Sequence, residues 1–157
     1  MLVDIVFPGW IPFSGLGQTK NVAGFIHSHS QILEYDFDHY IGGHLGKSGN
    51  RNDVLVQQQY VADLMANCEY AINLSATDDP TYGAAALLGP VQGANPGNSW
   101  AAFKVYLDTM AELCANLTNE KWLGVLAASD VFQFENAGTA IESLRIDYGV
   151  LGPFVTV

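Results

Sequence analysis

Val3-Asp4-Ile5-Val6-Phe7-Pro8-Gly9-Trp10-Ile11-Pro12-Phe13 opens with β-branched and apolar residues and stops at a Pro-Gly pair. The run from Leu2 to Phe7 predicts a short buried strand, since β-branched residues fit a pleated, half-buried surface and Pro8-Gly9 marks a turn. Trp10 to Gln18 follows as a Gly/Pro-rich loop carrying the aromatics Trp10 and Phe13. A second short strand is predicted over Phe37 to Ile41, closing at Gly42-Gly43.

The rest of the chain reads as helix. Asn21 to Tyr35 places Val22, Phe25, Ile26, His29 and Leu33 on one face. After a Gly/Ser/Asn loop from His44 to Arg51, Asn52 or Asp53 caps a long helix to about Leu74, striped by Val61, Leu64, Met65, Cys68 and Ile72. Gly83 to Leu88 fits a short helix, and Gly93 to Asn98 a loop. Ser99 caps another long helix to about Leu117, with Trp100, Phe103, Leu107, Met110, Cys114 and Leu117 at steps of three and four. A last helix lies within Asn136 to Tyr148, and an apolar tail runs from Gly149 to Val157. The expected fold class is α+β and predominantly helical, with four or five helices and two or more short strands in a single domain over residues 1–157.

Two further stretches give the first one its meaning. Tyr40-Ile41-Gly42-Gly43-His44-Leu45-Gly46, followed by Asp53-Val54, stands in the same order and at about the same distance from Val3–Phe13 as the later motifs of the metallo-β-lactamase superfamily. Over residues 1–75 the chain resembles the C-terminal half of that fold, and 76–157 reads as a helical extension. The resemblance implies two face-to-face sheets between helical layers, with a one- or two-metal site at one edge. Asp4 matches the family's strand-end aspartate, which often bridges the metals, and His44 matches its final Gly-His histidine. The family's H-x-H-x-D-H motif occurs nowhere in the chain, and no histidine precedes Asp4. The expected metal ligands are therefore Asp4 and His44 alone.

Zinc takes three or four protein ligands. Two cannot fix a catalytic geometry, so no cofactor is expected for this chain alone, and zinc only if a complete site is assembled. Other titratable clusters are weaker. In a helix, His27 and His29 of His27-Ser28-His29 point about 200° apart. His29 falls on the apolar face, where a hydrogen-bonded core histidine is expected, and His27 faces solvent. Asp36, Asp38 and His39 lack calcium-loop spacing. Asp78-Asp79, before Pro80, fit a helix N-terminal cap. There is no G-x-S-x-G elbow, and Gly15-x-Gly17 lacks the third glycine of a dinucleotide loop. Gly42-Gly43 are read as permitting a tight turn beside His44.

Composition narrows the partners. The chain of 157 residues is 49% hydrophobic and only 14% charged, with mean hydropathy +0.15, which suggests a large core or apolar surface meant for a partner. Its net charge of −10, without a basic run, disfavours nucleic acid and anionic lipid. No run reaches the roughly 18 apolar residues of a membrane span, and the N-terminus lacks the basic region of a signal peptide. A cytoplasmic location is expected, and Asn73-Leu74-Ser75 and Asn116-Leu117-Thr118 are read as chance glycosylation patterns. Cys68 and Cys114, both on apolar helix stripes, are expected to be buried free thiols.

Two functions follow. One is a non-catalytic module, a homodimer or the partner of a complementary chain, whose unpaired apolar face is covered by association. The other is a metal-dependent hydrolase whose missing ligands come from another chain or an absent N-terminal region.

Overall fold

The long helices form where the apolar stripes require them. In a computed structural model of the chain, described here for residues 3–44 and 46–152, α1 spans Ser14–Gln18, α2 Val22–Leu33, α3 Arg51–Ser75, α4 Ala84–Ala94, α5 Ser99–Trp122 and α6 Ser129–Asp147. One antiparallel ribbon, β1 (Tyr40–Ile41) with β2 (Ser48–Gly49), pairs Tyr40 with Gly49 and Ile41 with Ser48. The fold is predominantly helical, with six helical segments rather than four or five among the described residues.

Helix α3 starts two or three residues earlier than predicted. Asn50 is its N-cap, accepting from the Asn52 N–H at 2.8 Å, while the Asp53 carboxylate accepts the Asn50 N–H at 2.8 Å to complete a capping box. Asn98, not Ser99, caps α5. Arg51 ties the start of α3 to the end of α2, donating to the carbonyl of Leu33 (2.5 Å), one of those a helix C-terminus leaves unpaired, and to that of Tyr35 (3.1 Å) just beyond the helix. The main core joins α2, α3, α5 and α6 through Phe25, Leu64, Met110 and Ala137. Beside it, Lys121 and Trp122 of α5 bond one Asp63 oxygen of α3, at 2.6 and 2.9 Å.

Three expectations change. Val3–Phe7 forms no strand. Its polar groups are met by side chains instead: Phe7 N–H donates to Gln57 Oε1 (2.8 Å), Gln57 Nε2 donates to the Ile5 carbonyl (2.5 Å), and Val6 N–H donates to the Tyr40 hydroxyl (3.3 Å). The buried Gln57 amide thus takes the part of a neighbouring strand, which is why β-branched residues here need no ladder. The second strand shrinks from Phe37–Ile41 to Tyr40–Ile41, where β2 offers only two partners.

Cys68 and Cys114 are joined in a disulfide, not free. The stripes that buried both cysteines also face each other across the α3–α5 contact, so burial and pairing have one cause. No helix among the described residues is long and apolar enough to cross a membrane.

Candidate metal half-site and its left-handed wall

Asp4 and His44, forty positions apart, meet. Asp4 Oδ1 and His44 Nδ1 are in direct contact, each side chain 47% exposed. The approach is made possible by glycine. Asp4 N–H donates to the Gly42 carbonyl at 3.2 Å, and a Cβ on Gly42 would lie 2.4 Å from the Val6 carbonyl. Gly43, at φ +89°, then turns the chain into His44. This bears out the tight turn read from Gly42-Gly43.

The pair opens on a shallow cleft of about 220 Å3 lined by Phe7, Phe13, Gly17 and Gln18. The Phe13 ring stands edge-on to the His44 imidazole at 5.3 Å and packs on Phe7 at 4.4 Å, a geometry that limits rotation of the imidazole.

The far wall is α1, and its handedness is unusual. Gly15, Leu16 and Gly17 have φ/ψ of 67/60°, 50/49° and 66/27°, and Ser14 and Gln18 also have positive φ. With the Gly17 N–H donating to the Phe13 carbonyl at 2.8 Å, this is a turn of left-handed helix. Such a turn costs roughly 1–2 kcal/mol for each residue bearing a Cβ. Gly15 and Gly17 remove that cost at two positions. The Gly15-x-Gly17 pattern, set aside as a dinucleotide loop for want of a third glycine, serves this backbone turn instead.

Buried Asn136 of α6 holds the turn. Its Oδ1 accepts the Leu16 N–H at 2.5 Å, and its Nδ2 donates to the Pro12 carbonyl at 2.6 Å. Of the five described non-glycine residues with positive φ, Asp4, Ser14, Leu16 and Gln18 belong to this cleft or its wall, and only Ala128 lies elsewhere. Backbone strain of this kind persists only where the surroundings impose it, and it concentrates at functional sites.

The donor set fits two positions of a zinc shell and no more. Among the described residues, no group of three His, Cys, Asp or Glu side chains converges. The bond uses Oδ1 and Nδ1, so Asp4 Oδ2 and His44 Nε2 are the atoms through which either residue could reach a further group.

The other candidates resolve differently. His29 is fully buried, as its helical face predicted, and His27 is exposed. His29 Nδ1 lies 2.9 Å from the Phe25 carbonyl, so it carries the proton, and Nε2 accepts from Gln57 Nε2 at 2.9 Å. Burial pushes the imidazole pKa below its ordinary value and outweighs the two carbonyl contacts, leaving it neutral. Asp36, Asp38 and His39 are all exposed. Asp79 accepts the N–H groups of Thr81 (2.8 Å) and Tyr82 (2.7 Å), which hold its carboxyl below the usual range. It closes the turn before α4 rather than capping that helix, whose N-cap is Gly83 without a side-chain cap.

No family model, curated protein or solved structure matches the chain.

Proposed function

We propose that this chain is a metallo-β-lactamase-like module, non-catalytic by itself, that acts by associating with a second copy or a complementary polypeptide. The observation that carries the reading is the Asp4–His44 pair, two ligand-type groups from the two resembling motifs brought together at an open cleft, with no third ligand converging among the described residues. The exposed apolar side chains Leu123, Val125, Val131 and Phe134, in and just after the α5–α6 turn, supply surface of the kind that association covers. The test is native mass measured over a range of chain concentrations, together with hydrolase assays with added zinc. Association without turnover is expected. Zinc-dependent turnover by a monomer would sink the reading.

A second reading is the metal-dependent hydrolase with ligands contributed in trans. The clustering of strained residues around Asp4 and His44 favours it, because an idle pair would not require such a wall. Under this reading the chain alone holds zinc weakly. A complementary polypeptide rich in histidine would raise the affinity by orders of magnitude, and the Asp4→Asn/His44→Gln double variant would abolish that gain.

A further inference from the structure

Helix α4, Ala84-Ala-Ala-Leu-Leu-Gly-Pro-Val-Gln-Gly-Ala94, is strongly apolar, yet none of its residues is buried. It contains Gly89, Pro90 and Gly93, all poor helix formers, and packs against α5. Leu87 and Leu88 pack against the main core, and a space is left beneath the helix. Between α4, α5 and the end of α3 lies a cleft of about 350 Å3, at the small end of the ~300–1,000 Å3 found for ligand pockets. Its walls include Leu88, Ala102, Phe103 and Val150, and no charged side chain lines it among the described residues.

Gln92 and Ser99 also line the cleft, but both are exposed. The buried Ser75 and Tyr106 both line the cleft, and their hydroxyls lie 3.2 Å apart. The Ser75 hydroxyl spends its one proton on the Ile72 carbonyl at 2.6 Å. Tyr106 must therefore donate to Ser75, and what the Tyr106 oxygen has left is an acceptor. Arg145 packs on Phe103 at 5.2 Å, but its guanidinium is paired with the Glu142 carboxylate (2.6 Å) and the Val150 carbonyl (2.8 Å) and does not line the cleft, so a buried acceptor beside these apolar walls selects a neutral donor.

We propose that this cleft binds a small, uncharged, mainly apolar molecule carrying one hydroxyl, with the hydroxyl donating to Tyr106 and the apolar body lying between Leu88 and Phe103. The site is separate from the Asp4–His44 cleft and does not depend on any metal.

The experiment is an amide-resolved NMR titration of the full chain with three probes: octan-1-ol, its isomer 1-methoxyheptane, and octanoate. Octan-1-ol is expected to give saturable shifts at Leu88, Ala102 and Val150. The ether, with the same atoms but no donor, should bind about tenfold more weakly, and octanoate should not bind. Tyr106→Phe should reduce the alcohol to the level of the ether. Leu88→Trp, which fills the cleft from a partly exposed position, should abolish binding of both with helical circular dichroism unchanged. The proposal is overturned by absence of saturation, by equal affinity for alcohol and ether in the unsubstituted chain, by preference for octanoate, or by shifts centred on Asp4 and His44. The alcohol–ether comparison and Leu88→Trp decide the matter even if Tyr106→Phe fails to fold.

Discussion

Asn136 and Leu16 are joined across 120 positions by a hydrogen bond in which the Leu16 N–H donates to the Asn136 side-chain oxygen at 2.5 Å. The same amide donates to the Pro12 carbonyl, so one buried residue of α6 fixes both arms of the left-handed turn. Asn136→Ala leaves a buried N–H and a buried C=O unpaired, each costing about 1–3 kcal/mol. A loss of roughly 3 kcal/mol is expected by chemical denaturation. Asn136→Asp should be no milder, since a carboxylate can accept from Leu16 but only repels the Pro12 carbonyl. A loss below ~0.5 kcal/mol for both variants would show that the turn holds itself, within the usual range of neutral substitutions.

The handedness of α1 makes opposite predictions at neighbouring positions. Gly17→Ala places a Cβ at φ +66°, 3.1 Å from the Asp4 carbonyl, and should destabilise by about 1–2 kcal/mol. Exposed Gln18 has φ +61°, so Gln18→Gly should be neutral or stabilising by up to ~1 kcal/mol despite glycine's greater freedom in the unfolded chain. Thermal melts of the two variants suffice. The same sign for both would contradict the left-handed assignment.

What was legible before the structure divides along physical lines. The stripes of α2, α3 and α5 repeat at short range, so periodicity revealed them, and His29 could be placed in the core from its position on a stripe. The pairing of Asp4 with His44 was approachable only through two motifs read together. What stayed hidden depends on contacts between distant positions. Gln57 replaces a strand partner for Ile5 and Phe7, and nothing local in a polar run of Gln57-Gln58-Gln59 distinguishes the first as buried. Asn136 was read as the start of a helix, whereas it lies two turns inside α6. The α5–α6 turn is tight, with Leu126 N–H bonded back to the Trp122 carbonyl, so it carries little of the Gly/Pro punctuation that marks a loop.

His29 predicts a pH dependence with a definite sign. Its folded pKa is lowered by burial, so the unfolded chain binds the extra proton more readily. Its contribution is complete above the unfolded value of about 6.5 and is lost as pH falls from there through the folded pKa. The slope cannot exceed about 1.4 kcal/mol per pH unit for one proton. Phe25, Ile26 and Gln57, which meet the ring, are uncharged, so added salt should leave this slope nearly unchanged. Denaturation midpoints measured between pH 7 and 5 should fall in the parent chain and fall less in His29→Gln. Equal slopes would assign the effect to other groups.

The disulfide gives the largest stability prediction. Cys68 and Cys114 close a loop with a sequence separation of 46, for which the chain-entropy relation gives about 4 kcal/mol. Both sulfurs are fully buried, so reductant should reach them only through opening of the α3–α5 contact. Reduction by dithiothreitol should therefore be slow under native conditions and should accelerate steeply in denaturant. The Cys68→Ala/Cys114→Ala variant should lose roughly 2–4 kcal/mol while keeping its helical content, because Leu64, Met110 and Ala137 remain to bury the α3, α5 and α6 faces. Rapid reduction of the native chain, or a double variant as stable as the parent, would mean that packing rather than the covalent link holds these helices together.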